Sequence, residues 1–242
     1  MSLEGKRDKR TVDWEALTEK DYLAREEDIE GLLPIVIDLE TSGLDLVKSG
    51  IWQIGAIDLN TMEEFFDEAR IDEEDEVSNG ALKVIGKAEE YLRDKDKQSQ
   101  KELIGKFMNW VEKRKIKNFI CHHPHWDVSW IMIRLKKYNL DKKFHHRSFD
   151  THTIAQTKFY EVNNKFLIEE GRSNMGLGEV LEFCGIPEER IKVKEGEIIK
   201  EGKPHNALED AKLTAECFNR LMFGKNLFPK FNKFEVPETL RK

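Results

Sequence analysis

The stretch Ile35-Val36-Ile37-Asp38-Leu39-Glu40-Thr41-Ser42-Gly43-Leu44 decides the fold. Its opening residues are apolar and β-branched, as expected of a buried strand, and Thr41-Ser42-Gly43 reads as the polar loop that ends it. Side chains alternate along a strand, so Asp38 and Glu40, two residues apart, share one face. Two like charges side by side are costly there. They become favourable with a divalent cation between them, and hard carboxylate oxygens suit Mg²⁺ or Mn²⁺. Taken alone, the pair reads more readily as solvated acids at a strand end.

Outward from this strand the patterning alternates. Residues 51–59 and 64–71 read as two further strands. Residues 98–115 carry Leu103, Phe107, Trp110 and Val111 at helical spacing, and 118–121 form a short strand opening onto His122. Helices are expected near 127–138, 151–160 and 177–184, a hairpin over 191–199 around Glu195-Gly196, and a last long helix from Pro204-His205-Asn206 to about residue 223. Repeated strand-then-helix order indicates an α/β fold. The acidic run Asp72-Glu73-Glu74-Asp75-Glu76 reads as a solvated loop. Residues 1–31 read as a charged arm or exposed helix, 32–224 as the main domain and 225–242 as a tail.

The 242 residues give enough length for a full core, and their net charge is −7. That balance excludes a basic surface that coats nucleic acid non-specifically, so a polyanionic partner needs local basic patches or metal ions held by the protein's own acids. Stretches 113–117 and 136–147 are locally basic, and read either as guides for such a partner or as solvated faces. Cys121, Cys184 and Cys217 are odd in number and far apart, which argues against a disulfide framework and for reduced thiols. The charged first residues and the lack of a long apolar run favour a cytoplasmic protein with no membrane partner.

Two more segments bring acids to the edge of the core. Asp127 is expected to open a helix whose stripe is Trp130, Ile131, Leu135 and Tyr138, a position that an N-capping Asp would also explain. In the last helix Asn206 and Glu209 fit a capping-box-like start. That start sets His205 just outside the helix and Asp210 in its first turn, above Leu213, Thr214, Cys217 and Leu221. Four hard oxygen donors with one imidazole beside them is the inventory of a two-metal phosphodiester hydrolase.

Three ordered motifs then carry a family resemblance over roughly residues 35–223. Asp38-Leu39-Glu40-Thr41-Ser42-Gly43-Leu44 matches D-x-E-T/x-x-G-L. His122-His123-Pro124-His125-Trp126-Asp127 and the residues after it resemble H-N-x-x-F-D-x-x-F-L. His205-Asn206-Ala207-Leu208-Glu209-Asp210-Ala211 matches H-x-A-x-x-D-A. The chain resembles the DEDDh-type 3′→5′ exonucleases, with His123 where that family usually has Asn. The resemblance implies a ribonuclease-H-like mixed sheet flanked by helices, and a substrate of single-stranded DNA or RNA 3′ ends. It implies two Mg²⁺ or Mn²⁺ ions held by Asp38, Glu40, Asp127 and Asp210, with His205 as general base and nucleoside 5′-monophosphates as product. Thr41 and Leu44 match positions that grip and stack the terminal nucleotide. A DNA polymerase or a second copy of the chain is a conceivable partner.

Two rival readings stand beside it. His123, His125 and Asp127 spell H-x-H-x-D, the opening of a dinuclear zinc hydrolase site, although Val128 stands where the next His belongs. The other is a non-catalytic nucleic-acid or protein binding module on the same fold.

Overall fold

The computed structural model describes residues 31–242, so the arm expected over 1–31 lies, but for Gly31, outside the described residues. Residues Leu33–Lys242 form one compact unit. The first strand, β1 (Ile35–Thr41), continues into β2 (Ile51–Asp58) and β3 (Glu64–Glu68) as an antiparallel meander. Two short strands, β4 (Phe119–Cys121) and β5 (Phe149–Asp150), then add in parallel on the other side of β1. The order β3-β2-β1-β4-β5 is a mixed five-stranded sheet with β1 at its centre.

Helices cover both faces because β1 is apolar on both. Ile35, Ile37 and Leu39 pack in one cluster with Leu103, Ile104, Phe107 and Val111 of α3 (Gln100–Glu112) and Trp130, Ile131 and Leu135 of α4 (Pro124–Tyr138). On the opposite face Val36 joins Ile57 and Ile120 beneath Ala211, Ala215 and Phe218 of α7 (Ala207–Phe223). The alternation that puts Val36 under α7 puts Asp38 and Glu40 there too. Between β3 and α3 lie two short helices, α1 (Asn79–Ile85) and α2 (Glu89–Leu92), which the sequence reading left unassigned.

After β5 come α5 (Thr151–Asn163), a small hairpin of β6 (Ile168–Glu169) and β7 (Arg172–Ser173), α6 (Leu177–Phe183), and the expected second hairpin, β8 (Lys192–Lys194) with β9 (Glu197–Lys200). Residues 225–242 fold back through two short 3₁₀ turns, burying Phe231, Val236 and Leu240 against α6 and α7. Arg220 of α7 organises this return: fully buried and paired with Glu216 at 2.9 Å, it also donates to the carbonyls of Cys184, Phe231 and Phe234.

Two local expectations are corrected. The acidic run at 72–76 is not simply solvated, because Asp75 is buried and accepts from the Gln100 side chain and the Asp72 backbone N–H, with the Arg134 guanidinium beside it. An unpaired carboxylate is too costly to bury, and that ready-made set of donors is what draws it inward. Asp127 does not cap its helix. The helix starts at Pro124, whose fixed φ and missing N–H suit a first helical position, and His123 takes the cap position with left-handed backbone (φ 65°) and no side-chain cap bond.

Candidate active site

The site forms where the end of β1 meets the first turns of α4 and α7. The Asp210 turn is set by three contacts. Asn206 caps α7 by accepting the Glu209 N–H at 3.1 Å, Gln53 of β2 accepts the Ala207 N–H at 2.7 Å, and the His205 N–H donates to the Val84 carbonyl at 3.0 Å. Of the expected capping box only the Asn206 half forms, since Glu209 turns outward to Lys230 at 2.8 Å. Gln53 is buried and bridges to Glu68 at 2.8 Å, so a polar residue inside an apolar strand fixes the helix that carries Asp210.

The four acids share one electrostatic environment. Burial raises Asp38 well above its ordinary value, and the charges of Asp210, Asp127 and Glu40 push it further while Arg190 opposes them. Glu40 is pushed up to about 8, first by burial and then by Asp210, with His205 and Arg190 pulling the other way. Asp127, 3% exposed, is also raised to about 8 by burial, although backbone hydrogen bonds at Asp127 and Leu39 restrain it. Burial combined with mutual repulsion is the signature of a carboxylate set built to hold cations.

His205 and Arg190 are the cations facing this set. His205 Nδ1 lies 3.2 Å from Asp210 Oδ2, and its Nε2 lies 3.0 Å from the Ile191 carbonyl, so both ring nitrogens are engaged. Burial lowers the His205 pKa, but the Asp210 hydrogen bond and charge outweigh it and the net shift is upward. Arg190 reaches the same Asp210 oxygen at 2.9 Å and pairs with Glu188 at 2.6 Å. The sequence reading missed Arg190, which lies before the β8–β9 hairpin in a stretch with no periodic signal. Glu40, His205 and Asp210 place ligand atoms within 4.8 Å of one another, close enough to share a cation.

Thr41 and Leu44 lie on the loop after β1. The Thr41 hydroxyl donates to the Gly43 carbonyl at 2.8 Å, while Leu44 is 80% exposed. Buried Ser42 anchors the loop, donating to the Glu76 carbonyl at 2.7 Å. A cavity of about 450 Å³ opens onto Arg190 and His205, with Val84 and residues of both hairpins in its walls. Trp126 is partly buried, edge to face with Trp130. The H-x-H-x-D trio does not gather: Asp127 faces the other acids, whereas His123 falls beside Asp150 and His152.

With this geometry in place, comparison with known proteins assigns the family. The family model described as Exonuclease matches residues 35–174, more than half of the chain. The chain belongs to this exonuclease family. No curated protein matches it.

Among solved structures it is similar to E. coli exonuclease I in a zinc-bound complex with single-stranded DNA (TM-score 0.57, 13% identity, 75% of this chain and 38% of that one). It is similar also to the nuclease domain of 3′hExo, a DEDDh family member bound to rAMP (TM-score 0.57, 15% identity, 85% of this chain and 96% of that one). A third is cell-death related nuclease 4, CRN-4 (TM-score 0.56, 14% identity, 78% of this chain and 63% of that one). The chain thus spans well under half of the E. coli enzyme and nearly all of the 3′hExo domain. These likenesses establish the ribonuclease-H-like α/β fold. The family uses divalent metals.

Proposed function

We propose that this exonuclease removes nucleotides one at a time from the 3′ ends of single-stranded DNA or RNA and releases nucleoside 5′-monophosphates. In this reading Asp38, Glu40, Asp127 and Asp210 hold two Mg²⁺ or Mn²⁺ ions, and His205 is the general base. One observation carries it: four carboxylates from three elements converge, with burial and the neighbouring acids raising Asp38 and Glu40, burial raising Asp127, and His205 and Arg190 as the cations that meet Asp210 among the described residues. An all-oxygen donor set with excess negative charge fits hard divalent ions. When bound, such ions supply the positive charge that activates a water and stabilises the leaving 3′-oxygen.

The protein's own groups do the rest. His205 would accept the proton of the attacking water at Nδ1, the ring nitrogen that faces Asp210 at 3.2 Å. The Ile191 carbonyl, 3.0 Å from Nε2, keeps the other ring nitrogen protonated and the ring oriented. Arg190, at 2.9 Å from Asp210, would offer its fork of donors to a phosphate oxygen. Leu44 presents its exposed apolar side chain to the terminal base and Thr41 its hydroxyl to the sugar. The terminal base has to leave a duplex stack to reach that wall, hence the preference for single strands. The bound single-stranded DNA and rAMP of the similar structures support a nucleic-acid substrate.

The test is time-resolved degradation of matched 3′- and 5′-labelled DNA and RNA strands with Mg²⁺, Mn²⁺ or EDTA, beside Asp38→Ala. Mononucleotides released from the 3′ end, with metal only and not by the variant, are expected. Release from the 5′ end, or cleavage that survives EDTA, overturns the reading.

A further inference from the structure

A second group of metal-ligating side chains lies at the ends of β4 and β5. We propose that His123, Asp150 and His152 form a separate binding site for a divalent transition ion of the zinc class, distinct from the carboxylate set and independent of the catalytic reading. Their ligand atoms lie within 4.8 Å of one another, and all three residues are partly exposed, so an ion reaches them from solvent. Tetrahedral zinc with bonds of about 2.0–2.1 Å needs ligand atoms about 3.4 Å apart, within reach of small side-chain rotations.

Each ligand is already oriented. Asp150 Oδ1 accepts the backbone N–H groups of His123 at 3.2 Å and His152 at 3.0 Å, and its Oδ2 accepts the Thr153 hydroxyl at 2.6 Å. Among the described residues no Lys or Arg neutralises Asp150; its one ion-pair partner is His152 Nδ1, 3.9 Å from Oδ2. The His123 and His152 rings lie with centroids 4.3 Å apart. His152 Nε2 lies 2.7 Å from the Ser173 hydroxyl, which is itself held by Gln156 at 2.6 Å. A hydrogen bond on the far nitrogen of a ligating imidazole fixes its tautomer and leaves Nδ1 for the ion.

The donor chemistry separates the two sites. Two imidazoles and one carboxylate select Zn²⁺, Co²⁺ or Ni²⁺, whereas Mg²⁺ prefers the all-oxygen set. His123 is decisive, because an Asn there leaves only Asp150 and His152. A bound ion would tie the turn after β4 to the start of α5 and, through Ser173, to the β6–β7 hairpin beside the cavity.

Full-length protein is dialysed against Zn²⁺ with millimolar Mg²⁺ present, and retained zinc is counted. Titration with Co²⁺ then reads ligand geometry from its visible absorption. Wild type is expected to keep one equivalent of zinc that His123→Asn and His152→Gln each bind at least about tenfold more weakly. Asp38→Asn is expected to keep it, and circular dichroism checks that every variant is folded. Zinc retention unchanged in both histidine variants, or lost in Asp38→Asn, overturns the proposal.

Discussion

At His205 each ring nitrogen has a partner, Asp210 on one side and the Ile191 carbonyl on the other. In the proposed mechanism the proton-accepting nitrogen is the one that faces Asp210, so the imidazole would act as a base when that carboxylate is engaged elsewhere. Replacing His205 with Asn keeps a polar side chain and removes the proposed base. The expected loss in kcat is about 10²- to 10⁴-fold, with KM little changed and the acidic limb of the kcat/KM–pH profile gone. A loss under tenfold would assign proton transfer to another group. Arg190 competes for the same Asp210 oxygen, so an ion held by that carboxylate in the proposed mechanism would act on both cations.

Among elements, the contact of α7 with β2 sets the precision of the site. A Cβ on Gly55 would stand 2.2 Å from the Ala207 carbonyl carbon and from the Leu208 N, so only glycine lets the helix come this close. Gly55→Ala is expected to cost about 1–3 kcal/mol of stability by overpacking, and to lower kcat because His205 and Asp210 move with the helix. Urea unfolding and kinetics on the same preparation check both effects. Normal kcat at reduced stability would show that the helix recovers its place.

A second element-scale dependence is the return of residues 225–242, which hangs on the buried Arg220–Glu216 pair. Arg220→Met leaves the buried Glu216 charge without its counter-ion, holding only the backbone N–H groups of Leu227 and Phe228, and takes the guanidinium from the carbonyls of Cys184, Phe231, Phe234 and Glu235. It is expected to destabilise by about 3–5 kcal/mol, read as a lower urea midpoint. A shift under about 1 kcal/mol would mean that the apolar contacts of Phe231, Val236 and Leu240 suffice.

For the molecule as a whole, the carboxylate set makes stability depend on pH and metal together. Glu40 and Asp127, raised to about 8, stay protonated in the metal-free fold where the unfolded chain has released those protons. Each therefore contributes stability at low pH that fades as pH rises through its folded value. His205, also raised, acts in the same direction. His122, lowered to about 3 by burial, works oppositely but only below about pH 6.5. Between about pH 6.5 and 8 the melting temperature in EDTA is accordingly expected to fall. Added Mg²⁺ should raise it more at pH 8 than at pH 6.5, because the ion binds deprotonated ligands. Thermal melts with and without Mg²⁺ across this range decide it; a Mg²⁺ shift that ignores pH would sink the account.

Asp38 and Glu40 were legible in the chain because strand alternation is a local rule, and the last helix was legible because Asn206 caps it locally. The α/β class followed from the repeated strand-then-helix order, and the family from three short ordered motifs. The start of α4 was not, since Pro124, His125 and Trp126 break the apolar stripe that marks a helix and only the fixed φ of proline carries it back to that point. Burial of Asp75 depended on Gln100 and Arg134 from distant segments. Arg190 and the gathering of His123 with Asp150 and His152 depend on which strand ends lie side by side. The sequence by itself determined which residues can hold charge and which face of each element they occupy, because those follow from the chain's own periodicity. Only the tertiary structure decided which of those charges meet, because Coulomb energy and desolvation depend on distances that packing alone sets.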